Sequence, residues 1–304
     1  MEFFVESNIT SARLASPEPQ LYDILPLLSS LGPALFILML GYFTYKDYSG
    51  FLSLGPGGTP SNFYGYLKIT FLRLFALSNP HRPDPIPSGL KGTGFLKAGA
   101  IGTRPSCRPA VAGIAPHRQT SQRPREDMFN ILSESIMKLA NDYPSKFVIS
   151  TSAFEKHCPG LFSVKKANPA GNGEICHAHP SDGGSMHLTL HPEDIKTVLE
   201  AGWGGTFDIP VLMPFKQLMC VAERHPLARG GWCSRFVPKG FVMVYAPRTK
   251  EEVETVMEII KAGIGWISGE RFVPGAPEEP TLHVASPHQQ SHESMHHRCG
   301  AVAS

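Results

Sequence analysis

The sequence has no cysteine pair at CxxC spacing and no run of basic residues. Its six cysteines are scattered singly along 304 residues. That pattern excludes a thiolate zinc site and a dense disulfide framework, and it is typical of a reduced compartment. Lys and Arg number 28 against 26 Asp and Glu, so the net charge is only +2. Nucleic acid is therefore not expected as a partner.

A dinucleotide fingerprint is also missing, because no GxGxxG motif follows a predicted strand. This argues against a resident nicotinamide or flavin. Gly and Pro are abundant instead, at 29 and 28 residues, and they predict long irregular stretches.

Residues 24–45 contain no charged side chain and lie between Asp23 and Lys46. A helix of this length spans about 33 Å, enough to cross a bilayer, so we predict a transmembrane helix. A cleaved signal peptide and a buried core helix are the alternatives. Because Lys68 and Arg73 follow the run, the positive-inside rule predicts a cytosolic C-terminal part. We expect a single-pass membrane protein located in the endoplasmic reticulum.

The rest of the pattern predicts an α+β fold, with a small mixed or antiparallel sheet packed by helices. The predicted regions are a tail (1–23), the transmembrane helix, a juxtamembrane and loop-rich arm (46–126), an α+β domain (127–269) and a disordered tail (270–304). Within the domain the pattern predicts helices from Asp127, over 192–201 and over 249–262, and strands over 146–152, 173–179, 185–191 and 240–245.

Three histidines stand close together in GEICHAHPSDGGSMHL, residues 173–188. His177 and His179 share one face of a strand because side chains alternate. A three-residue turn at Asp182–Gly184 would pair His179 with His187 and bring all three rings together, whereas a two-residue turn would send His187 to the other face. We predict convergence.

Converging imidazoles can bind a divalent metal such as Zn, Fe or Cu, or act as bases and oxyanion donors near neutral pH. Exposed histidines in ordinary hydrogen bonds are the structural alternative. Further candidate groups are Glu174 beside the cluster, Glu155 and His157 in STSAFEKH, Arg224 and His225 in RHPL, and Arg248 in YAPR.

Several segments together resemble the fungal luciferase domain family. They occur in family order over most of residues 47–268, after an anchor that the family also has. The segments are DYSGFLSLGPGGTPSNFYGYL, GTRP (102–105), STSAFEKH, GEICHAHPSDGGSMHL, EAGWG, ERHPLARGG and YAPRTKEEVETVMEIIKAGIGW.

The resemblance implies an oxygenase-type activity. The family's luminous members add O₂ to a 3-hydroxy-α-pyrone, release CO₂ and emit light. Members also occur in fungi that do not glow, so light emission does not follow from membership. The alternatives are a metal-dependent enzyme such as a hydrolase, using the histidines, and a non-catalytic binding protein with the same fold.

We therefore expect a small-molecule substrate, O₂ as co-substrate, no other cofactor and a membrane contact through residues 24–45. A divalent metal on the three histidines is the alternative. The expected catalytic residues are His177, His179, His187, Glu155, His157, His225 and Arg248. The expected substrate-binding residues are Trp203, Glu174, Arg224 and Tyr245.

One segment departs from the family pattern. The family runs from GWG almost directly into RHPL, but residues 206–222 (TFDIPVLMPFKQLMCVA) intervene here between Gly205 and Glu223. We interpret them as an insertion, either a retained intron or a surface loop.

Overall fold

The computed structural model describes residues 21–73, 80–83, 86, 90, 93–206 and 240–275. The helices in these ranges are α1 (Leu21–Ser53), α2 (Phe63–Arg73), α3 (Glu126–Asp142), α4 (Pro192–Glu200) and α5 (Lys250–Ser268). The strands are β1 (Val111–Ala112), β2 (Arg118–Gln119), β3 (Phe147–Thr151), β4 (Pro159–Ser163), β5 (Glu174–Ala178), β6 (Met186–Thr189), β7 (Gly204–Thr206) and β8 (Phe241–Val244).

The main sheet has six strands in the order β3-β4-β5-β6-β8-β7. Every neighbouring pair in it is antiparallel, and β1 pairs separately with β2. Helices α3 and α5 pack on each other and on this sheet. The predicted α+β class is confirmed, and the sheet is antiparallel rather than mixed.

The two faces of the sheet bury different kinds of side chain. Leu188, Val242 and Val244 point to the face under the helices and belong to the hydrophobic core. Because strand side chains alternate, His187 and Met243 point to the opposite face. They are equally buried there, so the second face is also covered.

The arm covers that second face. Its strand β2 carries Arg118 and Gln119, both buried. The backbone N–H of Ala246 donates to the side-chain oxygen of Gln119, 3.0 Å away, which ties the arm to the end of β8. The described residues from Gly50 onward form one compact unit, and residues 21–49 belong to another.

Residues 24–45 lie within α1, as a helix. Nevertheless, no helix in the described ranges is long and apolar enough to cross a membrane. The structure therefore does not support the predicted transmembrane span.

The helices of the domain begin where their sequence signals predict. The Thr249 hydroxyl accepts a hydrogen bond from the N–H of Glu252 and caps α5, and His191 caps α4 in the same way. Helix α5 continues to Ser268, beyond the predicted 262. Strands β4 and β7 were not predicted. Residues 1–20 of the predicted N-terminal tail and residues 276–304 of the tail predicted as disordered lie outside the described residues.

Candidate functional site

The rings of His177, His179 and His187 converge on the buried second face of the sheet. His177 on β5 pairs directly with His187 on β6. One ring nitrogen from each of the three histidines lies within 4.8 Å of the others. Their exposed fractions are 2%, 0% and 4% in chain order. The predicted convergence is confirmed.

The turn that brings them together differs from the predicted one. The N–H of His179 donates to the carbonyl of Ser185 at 2.7 Å, so this pair closes a five-residue turn over 180–184. Residues 180–182 form a 3₁₀ turn, Asp182 accepts from the N–H of Ser185, and both glycines of the turn have positive φ (87° and 105°). The predicted pairing of His179 with His187 is wrong, but the parity is unchanged and the rings still share one face.

A β-bulge brings Glu174 to the same face. The register between β4 and β5 shifts at Leu161/Phe162, and Ile175 is the extra residue on β5. Simple alternation would place Glu174 opposite His177, and the bulge reverses this. The Glu174 carboxylate lies 2.7 Å from Nδ1 of His177 and also accepts from the hydroxyl of Ser152 at 2.6 Å.

A chain of hydrogen bonds runs outward from Glu174 through three imidazoles. Nε2 of His177 lies 3.3 Å from Nδ1 of His187, and Nε2 of His187 lies 3.1 Å from Nδ1 of His117. A carboxylate can only accept, so the proton of neutral His177 sits on Nδ1 and its Nε2 accepts. By the same logic, Nδ1 of His187 and Nδ1 of His117 each donate inward toward the carboxylate.

His179 belongs to a second branch. Its Nδ1 lies 2.9 Å from the hydroxyl of Ser185, which in turn donates to the carboxylate of Asp182. This fixes the proton on Nδ1 and leaves Nε2 as an acceptor. Nε2 is buried and has no hydrogen-bond partner among the described residues. It points toward Glu155, whose nearer oxygen is 4.0 Å away.

Burial favours the uncharged form of His117, His179 and His187. Burial, followed by the neighbouring histidines, lowers the pKa of His187 well below its ordinary value. Burial, then His179 and Arg118, lowers the pKa of His117 to about 3. Burial also lowers the pKa of His179, although Asp182 acts to raise it. Burial acts to raise the pKa of the Asp182 carboxyl, but nearby His179 and hydrogen bonds from Ser185 and the N–H of Gln119 outweigh it and lower that pKa.

A buried ion pair closes the side of the cluster toward the arm. The Arg118 guanidinium contacts Glu155, and the two side chains are only 4% and 7% exposed. Arg118 also donates to the carbonyl of Pro56 at 2.6 Å and to the hydroxyl of Ser181 at 3.2 Å. The positive charge is thus fully engaged and positions the arm beside the histidines.

A cavity of about 220 Å³ lies next to the cluster. Its wall includes His117, Tyr245 and Met243, together with residues 109–111 of the arm. His117 stacks on His187 with ring centroids 5.3 Å apart. It is therefore the histidine that connects the cavity to the buried hydrogen-bond chain.

Comparison with known proteins also points to the luciferase domain family that the sequence motifs resemble. The Luciferase domain family model matches residues 172–210 and 220–263, a region that includes β5, β6 and all three histidines. Over these residues the chain is similar to the luciferase-domain family. The similarity supports a luciferase-like function at the level of that family.

The relatives are fungal luciferases. The chain is 27% identical to the luciferase of Neonothopanus nambi over 242 residues, which cover 74% of this chain and 81% of that protein. The luciferase of Armillaria mellea is 28% identical over 242 residues, with 74% and 82% covered, and the luciferase of Armillaria ostoyae gives the same values. No solved structure matches the chain.

The family match also bears on the predicted insertion. It skips residues 211–219, which lie inside the predicted 206–222. Thr206, however, belongs to strand β7 and pairs with Val242. The insertion relative to the luciferase domain is therefore shorter than predicted. Residues 207–222 lie outside the described residues, as do the predicted site residues Arg224 and His225.

The other predicted site residues lie in different surroundings. Arg248 forms an ion pair with Glu252 in the first turn of α5. The indole N–H of Trp203 donates to the carbonyl of Gly102 at 2.7 Å. His157 is exposed. Their catalytic and substrate-binding roles stay predictions, and the described contacts of Arg248 and Trp203 are structural ones.

The three-histidine cluster also fits a metal, because imidazole nitrogens suit Zn, Fe or Cu. The ligand atoms would be Nε2 of His177, Nε2 of His179 and Nδ1 of His187. Hydrogen bonds to Glu174 and Ser185 orient the first two rings, as outer contacts do in metal sites. Binding would require His187 to move its proton from Nδ1 to Nε2.

Proposed function

We propose that the protein is a luciferase-like oxygenase that uses O₂ on a small aromatic or polyketide-derived substrate of the 3-hydroxy-α-pyrone class. The observation that carries the proposal is the chain from Glu174 through His177 and His187 to His117. It leads from a buried carboxylate to the wall of a cavity of about 220 Å³.

The chain provides a route for the substrate's proton. The O–H bond of the hydroxypyrone breaks, its proton passes to Nε2 of His117, and the electron pair stays on the oxygen. Each imidazole passes its own Nδ1 proton inward, and the last proton reaches Glu174. No imidazole holds a net charge at the end, which suits sites where burial disfavours the charged form. The ring anion is then the species that gives electrons to O₂.

Oxygen uptake and photon counting with a 3-hydroxy-α-pyrone test this function. We expect uptake by the wild type, and a fall in kcat of roughly 10²–10⁴ in His187→Asn, the range of a general base. His191→Asn is the matched control, because it also replaces a buried imidazole but at the cap of α4. Absence of substrate-dependent uptake by folded wild type rejects the proposal. Uptake without photons retains the oxygenase and rejects luminescence.

A metal-dependent enzyme, such as a hydrolase, is the second candidate. The observation that favours it is the buried Nε2 of His179, which has no partner in the described residues and faces the other two rings. A bound divalent metal would supply Lewis-acid or redox chemistry there. Metal analysis of the purified protein, with activity measured before and after chelation, separates the two candidates.

For the N-terminal helix we propose attachment to a membrane, with the endoplasmic reticulum as the site and the histidine-bearing unit on the cytosolic side. Helix α1 exposes consecutive large apolar side chains, including Phe36 at 67%, Ile37 at 66% and Leu38 at 68%. An apolar surface of this kind is typical of a membrane contact. Fractionation followed by alkaline carbonate washing tests it. Release by carbonate indicates a peripheral contact, retention an inserted one, and a wholly soluble protein contradicts attachment.

A further inference from the structure

Tyr245 presents a buried hydroxyl to the cavity. It follows β8 on the face that carries Met243, and its backbone N–H donates to the carbonyl of Trp203 at 2.9 Å. The side chain is 0% exposed and lines the cavity. Its hydroxyl has no hydrogen-bond partner among the described residues. A buried hydroxyl is costly to leave unpaired, so this position favours a ligand atom that accepts a hydrogen bond.

Two cations act on the same hydroxyl. The guanidinium of Arg104 lies 5.7 Å from the centroid of the Tyr245 ring and is 3% exposed. Its NH1 donates to the carbonyl of Cys107 and to Gln122, whereas Nε and NH2 lack partners within the described ranges. Arg108 is the second cation. Burial raises the pKa of Tyr245 to about 12 although both arginines act to lower it, so the phenol stays a donor at neutral pH.

The carboxylate near Arg104 is already paired with another arginine. Glu252 is the carboxylate that acts on Arg104, and it forms its ion pair with Arg248. None of the residues that line the cavity among the described residues is Asp or Glu. Residues 109–111 and Met243 contribute apolar surface to the wall. A positive field beside partly apolar walls stabilises an anion more than the same field would in water.

We propose that this cavity is an anion-selective ligand site for a flat, oxygen-bearing ring, an enolate or phenolate. The Tyr245 hydroxyl donates to the anionic oxygen, and Arg104 supplies the positive field. The identification of this ligand as the substrate rests on the proposed function, whereas the site itself does not. In that reaction Tyr245 holds the anion that remains after His117 has taken the proton, and the nearby charge of Arg104 stabilises it.

Equilibrium binding under argon tests the site without any turnover. The probes are 4-hydroxy-6-methyl-2-pyrone, which ionises, and its 4-methoxy ether, which cannot. We expect the ionised probe to bind about tenfold more tightly or better, since a hydrogen bond to a charged group is worth that much. We also expect its affinity to rise with pH as the probe itself ionises. Equal affinity of the two probes overturns the proposal.

Variants identify the residues. Tyr245→Phe should weaken the ionised probe about tenfold and leave the ether unchanged, and it should not lower the melting temperature because the lost hydroxyl was unpaired. Arg104→Met should act in the same direction. Tyr64→Phe, at a ring 70% exposed on α2, is the control. Unchanged binding of the ionised probe to Tyr245→Phe contradicts the assigned donor.

A third variant tests the cavity itself. A Cβ on Gly205 would lie 3.5 Å from the Tyr245 hydroxyl and 3.6 Å from His81, in ordinary contact, so alanine fits and a larger side chain enters the cavity. Gly205→Val should therefore weaken both probes, and unchanged binding would place the ligand elsewhere. Selective binding by a protein that takes up no oxygen supports the site and rejects the proposed oxygenase.

Discussion

His177 and His187 lie directly opposite each other on β5 and β6, with Nε2 of the first 3.3 Å from Nδ1 of the second. This single contact joins a buried carboxylate on one side to a cavity-lining imidazole on the other. It depends on two irregular features of the sheet, the bulge that turns Glu174 inward and the five-residue turn at 180–184. Bulges are frequent beside active sites, where they redirect side chains.

Replacing the carboxylate should impair turnover more than stability. We expect Glu174→Gln to lower kcat by roughly 10²–10⁴, because an amide cannot take up the last proton of the chain. The amide oxygen can still accept from Ser152 or from the N–H of Ala153, so the melting temperature should change little. Glu254→Gln, at an exposed position of α5, is the control. A Glu174→Gln variant with wild-type kcat would exclude the carboxylate as proton acceptor.

The buried ion pair gives a stability prediction. Arg118→Met leaves Glu155 buried without its partner, which should lower the free energy of unfolding by about 3–5 kcal/mol. Adding Glu155→Leu should recover part of this loss, since both charges are then absent. Recovery stays partial because Arg118 also donates to Pro56, Ser181 and His117. Urea unfolding measures all three proteins.

The exposed pair of Lys138 and Asp142 on α3 is the matched control for that experiment. Its side chains are 74% and 46% exposed. Exposed pairs contribute little, so Lys138→Met should leave the unfolding midpoint nearly unchanged. If the single and double variants at Arg118 and Glu155 were equally unstable, the unpaired charge would not be the cause.

Residues 211–219 should be dispensable for folding. The luciferase-domain match continues on both sides of this gap, so the domain of the family is complete without them. Deleting 211–219 should preserve soluble yield and melting temperature, whereas deleting 220–228, inside the matched region, should lower both. Thermal unfolding of the purified proteins checks this. Loss of folding in the first deletion would show that the nine residues belong to the domain.

Regular elements of the domain could be predicted from sequence because their signals are local. Thr249 ahead of an amphipathic run predicts the start of α5, and Pro192 after His191 predicts the start of α4. The shared face of the three histidines also follows from strand parity. The register does not, because a five-residue turn and a three-residue turn give the same parity and differ only in which residues pair.

The residues that surround the three histidines could not be predicted from local sequence patterns. Glu174 reaches His177 only through a bulge, which periodicity does not reveal. His117 and Arg118 come from an arm rich in Pro and Gly, where two-residue strands are too short to show a pattern. Ser185 and Asp182 are typical turn residues in the sequence. Their link to His179 becomes visible only when the turn is seen folded.

The proton on His187 decides between a metal-free base and a metal site. With the proton on Nδ1, as the chain from Glu174 requires, the three nitrogens cannot all be ligands. We therefore expect the same melting temperature for the wild type with and without chelator, and no stoichiometric metal. A metal bound well above its Kd would add about 2.7 kcal/mol at 100-fold excess, a shift that thermal unfolding detects readily.

His179→Asn sharpens this last test. The amide nitrogen of Asn can still donate to Ser185 as Nδ1 does, while the unpartnered Nε2 is removed. For the metal-free site we expect this variant to melt close to the wild type and to ignore chelator, as the wild type does. If a metal is bound, chelator lowers the melting temperature of the wild type but not of His179→Asn. A chelator effect on the wild type alone, together with activity restored by returning the metal, would show that the three histidines form a metal centre and not a metal-free base.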